Sequence, residues 1–303
     1  MPSRKTDHEV LKGALDQLHV AFNDPQSAVD PIQIVRRYPQ VDDREVIAFI
    51  ASALAFGRVA SVMASIEAVC RVLGPEPAAF VRAFNPVRDG AALLPLVHRW
   101  TQGRDFVALV WLLHRVLEEH GSIERAVAEG VDPHAADVGH AIEAFSSRAR
   151  ALDFRPAYAR VPHAPGVFYF LSRPSTGSAC KRLNLFLRWM VRQDAVDPGG
   201  WTAVPTRQLV VPLDTHTIRV GRCLRLTRRR ASGWKMAVDI TEALRRLDPI
   251  DPVRYDFGLC HLSMMGACGD GTKRGSAQCP LRGLCRPTGR HRTPAAGRPP
   301  ATR

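Results

Sequence analysis

Long apolar runs are missing from this chain. No stretch approaches the length of a membrane span. Met1 to Glu9 has none of the apolar core that a secretion signal needs, so the expected location is the cytoplasm. Strand signals are missing too: Gln208 to Val211 is the best candidate, and it is too short to build a sheet. No internal repeat is visible. Acids are scarce beside bases, with 29 Asp and Glu against 42 Lys and Arg, for a formal net charge of +13. Without an export signal, the seven cysteines do not read as a disulfide framework. Four of them (Cys260, Cys268, Cys279 and Cys285) gather toward the C-terminus, which raises the question of a metal site.

What is present is helical periodicity. Helices are expected over Val10 to Phe22, from Asp42 through Phe56, over Val59 to Leu73, over Phe80 to Phe84 and over Asp105 to His120. Further ones are expected over Ser122 to Glu129 and His134 to Ala149. Three more open at Lys181, at Asp214 and at Trp234, and a last one spans Asp251 to Met265. Acids in the first turn at Asp42 and Asp43 suit a helix dipole. Gly74-Pro75-Glu76-Pro77 is a stop. The 303 residues, 46% hydrophobic and 23% charged, suffice for a well-buried core. The expectation is one all-α domain over residues 1–285, in two lobes divided near 158–166, with a disordered basic tail over 286–303.

The positive charge points to an acidic partner, with nucleic acid as the default. The tail contributes five arginines, and without them the formal charge is still +8. Much of that excess falls between Arg219 and Arg230 and on the helix that opens at Lys181. On that helix Leu183, Phe186, Leu187 and Met190 repeat at buried spacing, while Lys181, Asn184, Arg188 and Arg192 form a cationic stripe. Ser175, Thr176 or Ser178 is expected to cap its start, with Gly177 making the turn. Backbone N–H groups at such a start bind phosphate oxygens. A solvated basic face on an ordinary helix is the plainer reading.

A second helix start follows at Pro212-Leu213-Asp214-Thr215-His216. Asp214 is a natural N-cap. A capping carboxylate is also fixed in direction, and it can accept a proton or stabilise a developing cation. His216 can bind a phosphate or simply pack, the phosphate side being the reading preferred, and Arg219 beyond it suits the same backbone.

These residues carry a resemblance. Lys181 with its apolar helix, followed by Pro212, Asp214 and His216, resembles the helix-hairpin-helix DNA glycosylases. Lys181 matches that superfamily's Schiff-base lysine, and Asp214 matches its catalytic aspartate. Over Asp42 to Gly57, Lys181 to Arg192, Leu209 to Gly221 and Asp248 to Phe257, the chain is more similar to an uncharacterised bacterial family of unknown function within that superfamily. The hairpin before Lys181 is longer than usual, and Asp214 follows Lys181 by 33 residues.

The resemblance implies a two-lobed helical fold of the glycosylase type. It also implies a DNA glycosylase with AP-lyase activity, working in base-excision repair through a Lys181 Schiff base and Asp214. The expected partner is double-stranded DNA, met by Gly177, Ser178, Arg188, Arg192, His216 and Arg219. Tyr255, Phe257 and His261 are the expected base-pocket residues, and the protein is expected to be a monomer associated with the nucleoid. A catalytically inactive nucleic-acid-binding protein on the same scaffold is the alternative.

The cysteine spacing Cys279 to Cys285 matches the end of the iron–sulfur loop of some of these enzymes, with Cys268 near the first ligand position. Ser276 stands where another thiolate is wanted. Cys260, His261 or Asp270 are substitutes for a cluster or zinc. A degenerate loop with no required cofactor is the favoured reading, and a metal-dependent regulatory protein is a third class.

Overall fold

A computed structural model describes residues 4–265 and 279–285, and thirteen α-helices with no β-strand lie among those residues. They are α1 (Arg4–Phe22), α2 (Ile32–Val35), α3 (Val41–Ala53), α4 (Val59–Leu73), α5 (Pro77–Arg82), α6 (Gly103–His120) and α7 (Ile123–Ala128). Then come α8 (Gly139–Ala151), α9 (Arg155–Tyr158), α10 (Lys181–Val191), α11 (Thr215–Cys223), α12 (Trp234–Arg245) and α13 (Asp256–Met264). The protein is all-α, as expected. Gln208 closes a short 3-10 helix (Thr206–Gln208), and residues 209–211 after it pair with no strand.

The centre is α3. Every residue from Glu45 to Ala53 is buried, because a helix that is apolar on all sides must be enclosed by others. Its one buried charge is accounted for. Glu45 accepts hydrogen bonds from the backbone N–H groups of Ile123 and Glu124 at 2.9 and 3.3 Å, and from Trp201 Nε1 at 3.2 Å. The carboxyl thereby closes the start of α7. Burial still pushes it up to about 7, against those hydrogen bonds.

Helix α10 packs on α3, and α11 packs on α13. One contiguous hydrophobic core includes residues from Leu15 to Leu281. The stretch 158–166 is pinned to α6: Tyr158 Oη donates to Asp105 Oδ1 at 2.7 Å. A Cβ on Gly166 would come within 2.3 Å of the same carboxylate oxygen, so only glycine fits there.

Several helix starts differ from the sequence reading: α1 opens at Arg4 rather than Val10, α5 at Pro77 rather than Phe80, and α8 at Gly139 rather than His134. Helix α6 opens at Gly103, where Asp105 Oδ2 accepts from the Gln102 N–H at 2.9 Å. Helix α13 begins at Asp256 rather than Asp251. Before it, the Asp248 carboxylate collects the N–H groups of Ile250 and Asp251 into a turn, and Pro249 and Pro252 interrupt the helical ladder.

Candidate functional site

Lys181 is the first residue of α10. The turn before it passes through two left-handed residues, Gly177 at φ 78° and Cys180 at φ 48°. No hydroxyl caps the helix, contrary to expectation, and Cys180 is the N-cap. Ser175 is drawn away to Glu143 and Thr176 to the Arg173 carbonyl, while Ser178 Oγ accepts from the Cys180 N–H at 3.2 Å. The turn is seated on α12: Gly177 O accepts from the Trp234 N–H, and a Cβ on Gly233 would lie 2.5 Å from that oxygen.

Asp214 caps α11 as expected. Its Oδ1 accepts from the N–H groups of His216 and Thr217, both at 2.9 Å. That leaves Oδ2 to face Lys181 Nζ at 3.5 Å and Cys260 Sγ at 3.6 Å. Lys181 Nζ also reaches the Ala55 carbonyl at 3.4 Å. The Lys181 side chain is 32% exposed and that of Asp214 is 17% exposed. Burial works to raise the Asp214 carboxyl. Lys181, the two capping N–H groups and His216 outweigh it and hold the group below the usual carboxylate range.

Both side chains line a cavity of about 420 Å³, together with Phe56, Tyr169, His216, Asp256, Cys260 and His261. His216 is half-buried, with Nδ1 3.2 Å from Ser263 Oγ. A second cavity of about 410 Å³ shares Tyr169, Lys181 and Arg182 with the first and adds Arg150, Arg173, Thr176 and Ser178. Gly177 is exposed beside it, and Arg219 is exposed on α11.

Arg188 and Arg192 are not where the sequence reading puts them. They are 3% and 4% exposed and sit among four aspartates. Arg188 bonds Asp256 at 2.7 Å and Asp197 at 3.0 Å. Arg192 bonds Asp194 at 2.7 Å and Asp251 at 2.9 Å, and also Asp197. Neither reaches a surface phosphate. Asn184 is buried as well, so the cationic stripe is an interior one, broken only at its Lys181 end.

Tyr255 and Phe257 do not line the cavity. Tyr255 is 1% exposed and its hydroxyl donates to Asp16 Oδ1 at 2.8 Å. Phe257 packs instead against the ring of His261. His261 does line the cavity. Cys260 belongs to the Asp214 neighbourhood. Cys279 is buried and Cys285 is half-buried, while Cys268, Asp270, Ser276 and the tail 286–303 lie outside the described residues. No group of three metal-ligating side chains occurs among the described residues.

Sequence reasoning missed an aromatic cluster at the rim. Phe56, Trp100 and Tyr169 meet with ring centroids 4.7 to 5.4 Å apart, and Trp100 and Tyr169 remain 53% and 40% exposed. The Arg182 guanidinium lies 3.7 Å from the Tyr169 centroid, with no carboxylate in ion-pair range among the described residues. Two loops and a short 3-10 helix (Gly166–Tyr169) supply these rings, so no local pattern announces them. Arg182 was the more legible member, being next to Lys181.

A family model described as a protein of unknown function (DUF2400) matches residues 30–265, which include every residue lining the larger cavity. No curated protein and no solved structure matches the chain.

Proposed function

The chain belongs to the DUF2400 family of proteins of unknown function, and we propose, from its site geometry, that it is a DNA glycosylase with AP-lyase activity. The observation that carries the reading is the 3.5 Å approach of an amine and a carboxylate on the wall of a cavity of about 420 Å³ in a basic protein. That volume lies in the range of ligand pockets. The exposed aromatic rim offers a face on which a base can stack. Arg219, His216 and the arginines of the adjoining cavity take the phosphate role that Arg188 and Arg192 cannot. Substrate is duplex DNA with one nucleotide rotated out, at roughly a few kcal/mol that phosphate contacts offset.

Each group then has a defined task. The N-glycosidic bond breaks with its electron pair going to the base, which takes a proton from the Lys181 ammonium. The Asp214 carboxylate, held ionised, offsets the positive charge on the sugar. The freed amine bonds to the sugar C1′. Ring opening moves a proton from that nitrogen to the ring oxygen and leaves an iminium. Loss of a 2′ proton with expulsion of the 3′ phosphate cuts the strand. The sequence of steps uses no cofactor. On this reading the protein works as a monomer on the nucleoid.

Borohydride trapping tests it. Duplexes carrying an abasic site or a damaged base should give a covalent adduct that disappears in Lys181→Ala. DNA binding with no adduct on any duplex overturns the enzyme and leaves a nucleic-acid-binding protein on the same scaffold.

A further inference from the structure

The cavity contains a second polar feature besides Lys181 and Asp214. His261, on α13, is 3% exposed, and its ring lies beside Phe257 and Phe22. Its Nδ1 is 3.0 Å from the Phe257 carbonyl oxygen. A carbonyl only accepts, so Nδ1 carries the proton and Nε2 presents a lone pair. Burial pushes the imidazole below its usual range, against the pull of Asp30, which keeps this neutral form in place at neutral pH.

His261 Nε2 is buried without any hydrogen-bond partner among the described residues. The nearest charged atom is Asp30 Oδ2 at 3.6 Å, too far for a hydrogen bond and itself an acceptor. The other oxygen of Asp30 is already engaged, accepting from the Ile32 N–H at 2.9 Å. Two acceptors therefore face one another with no donor between them, and both side chains line the cavity. Trp189, on the same wall, has an indole N–H that also lacks a partner. Buried polar atoms are nearly always paired. Two unpaired ones, His261 Nε2 and Trp189 Nε1, lining one cavity call for a polar ligand.

We infer that His261 and Asp30 are an acceptor pair that reads an amino group, so the substrate class is heterocyclic bases bearing an exocyclic amine. A planar NH₂ has two hydrogens, and each can go to one acceptor of a pair 3.6 Å apart. An oxo group in that place presents lone pairs to both acceptors and is repelled. The discrimination comes from leaving the buried His261 Nε2 and the part-buried Asp30 carboxylate unmet when the wrong base enters. This inference rests on the glycosylase reading.

Single-turnover excision from matched duplexes tests it. One pair is 8-oxoguanine and 8-oxohypoxanthine, where the amine is removed. The other is 5-hydroxycytosine and 5-hydroxyuracil, where oxygen replaces it. The amino member of a pair should be excised faster by roughly tenfold or more. In Asp30→Asn the ratio should fall toward one: the amide can keep the Ile32 contact with its oxygen and turn its own N–H groups toward Nε2. His261→Gln provides a second variant, and the wild-type ratio decides the matter even if neither variant folds. The parent protein should also give an adduct at a pre-formed abasic site, where no base is read. An adduct at that site with equal rates within both pairs, or faster loss of the oxo member, overturns the amino readout alone. No adduct and no excision on any duplex removes the glycosylase reading and this inference with it.

Discussion

Lys181 and Arg188 sit two turns apart on α10, each beside an aspartate, and they live in opposite regimes. Arg188 is enclosed. With Arg192 it makes two cations against Asp194, Asp197, Asp251 and Asp256, so the cluster carries more negative charge than positive. Burial first, and neighbouring carboxylates after it, push Asp256 up to about 6 and raise Asp251 as well, although both touch an arginine. Lys181 and Asp214 form a single pair at an open wall, where their contact is longer and a ligand can enter. Enclosure with hydrogen bonds to every guanidinium edge makes a structural joint. The same charges left accessible stay available to a ligand.

Breaking each pair measures the difference. Arg188→Met should be the most damaging change, because Asp197 and Asp256 would stay buried and lose a cation. The expected loss is about 3–5 kcal/mol in urea unfolding. Lys181→Met should cost less than about 1 kcal/mol in the same unfolding, since its pair is part-exposed, while removing any borohydride adduct. Comparable losses for the two would erase the distinction drawn above.

Asp214 sharpens the comparison, because it is both a cap and a partner. Asp214→Ala removes the acceptor for two N–H groups and should cost about 1–2 kcal/mol. Asp214→Asn keeps an acceptor and should stay closer to the parent in stability, yet lose most adduct formation along with Asp214→Ala. If the asparagine variant traps DNA as well as the parent, the carboxylate has no part in the chemistry.

The finest test is a titration of stability against pH. An unfolded aspartate releases its proton near 3.9, whereas folded Asp256 keeps it up to about 6. The folded state then binds more protons within that window, so stability should fall as pH rises from about 4 to about 6. Asp214 acts with the opposite sign. Its pKa is held down, so its contribution is present above the unfolded value and is lost as pH falls through the folded one. Asp256→Asn should flatten the first limb and Asp214→Asn the acid limb. The opposite assignment would show that the two carboxylates have been misread.

The helical order of the molecule was legible where signals are local. The limits of α4 follow from its apolar spacing and the Gly-Pro stop, and Lys181 opens α10 where expected. Asp214 was legible as a cap because an acid before a helical run has one common role. The arginines were misjudged for a physical reason. Periodicity separates the polar side of a helix from its apolar side, but it does not say whether water or another side chain covers the polar side. Asp256, which covers Arg188, comes 68 residues later, and Asp16, which holds Tyr255, comes 239 residues earlier.

By itself the sequence determined the helical class, most helix positions, the excess of basic charge and the two helix starts bearing Lys181 and Asp214, since each depends on residues within a few turns of one another. Tertiary structure alone decided that those two side chains share a cavity, that Arg188 and Arg192 are interior, and that His261 and Asp30 meet as unpaired acceptors. Those outcomes depend on which segments fold against one another, and contact across tens or hundreds of residues leaves no trace in local pattern.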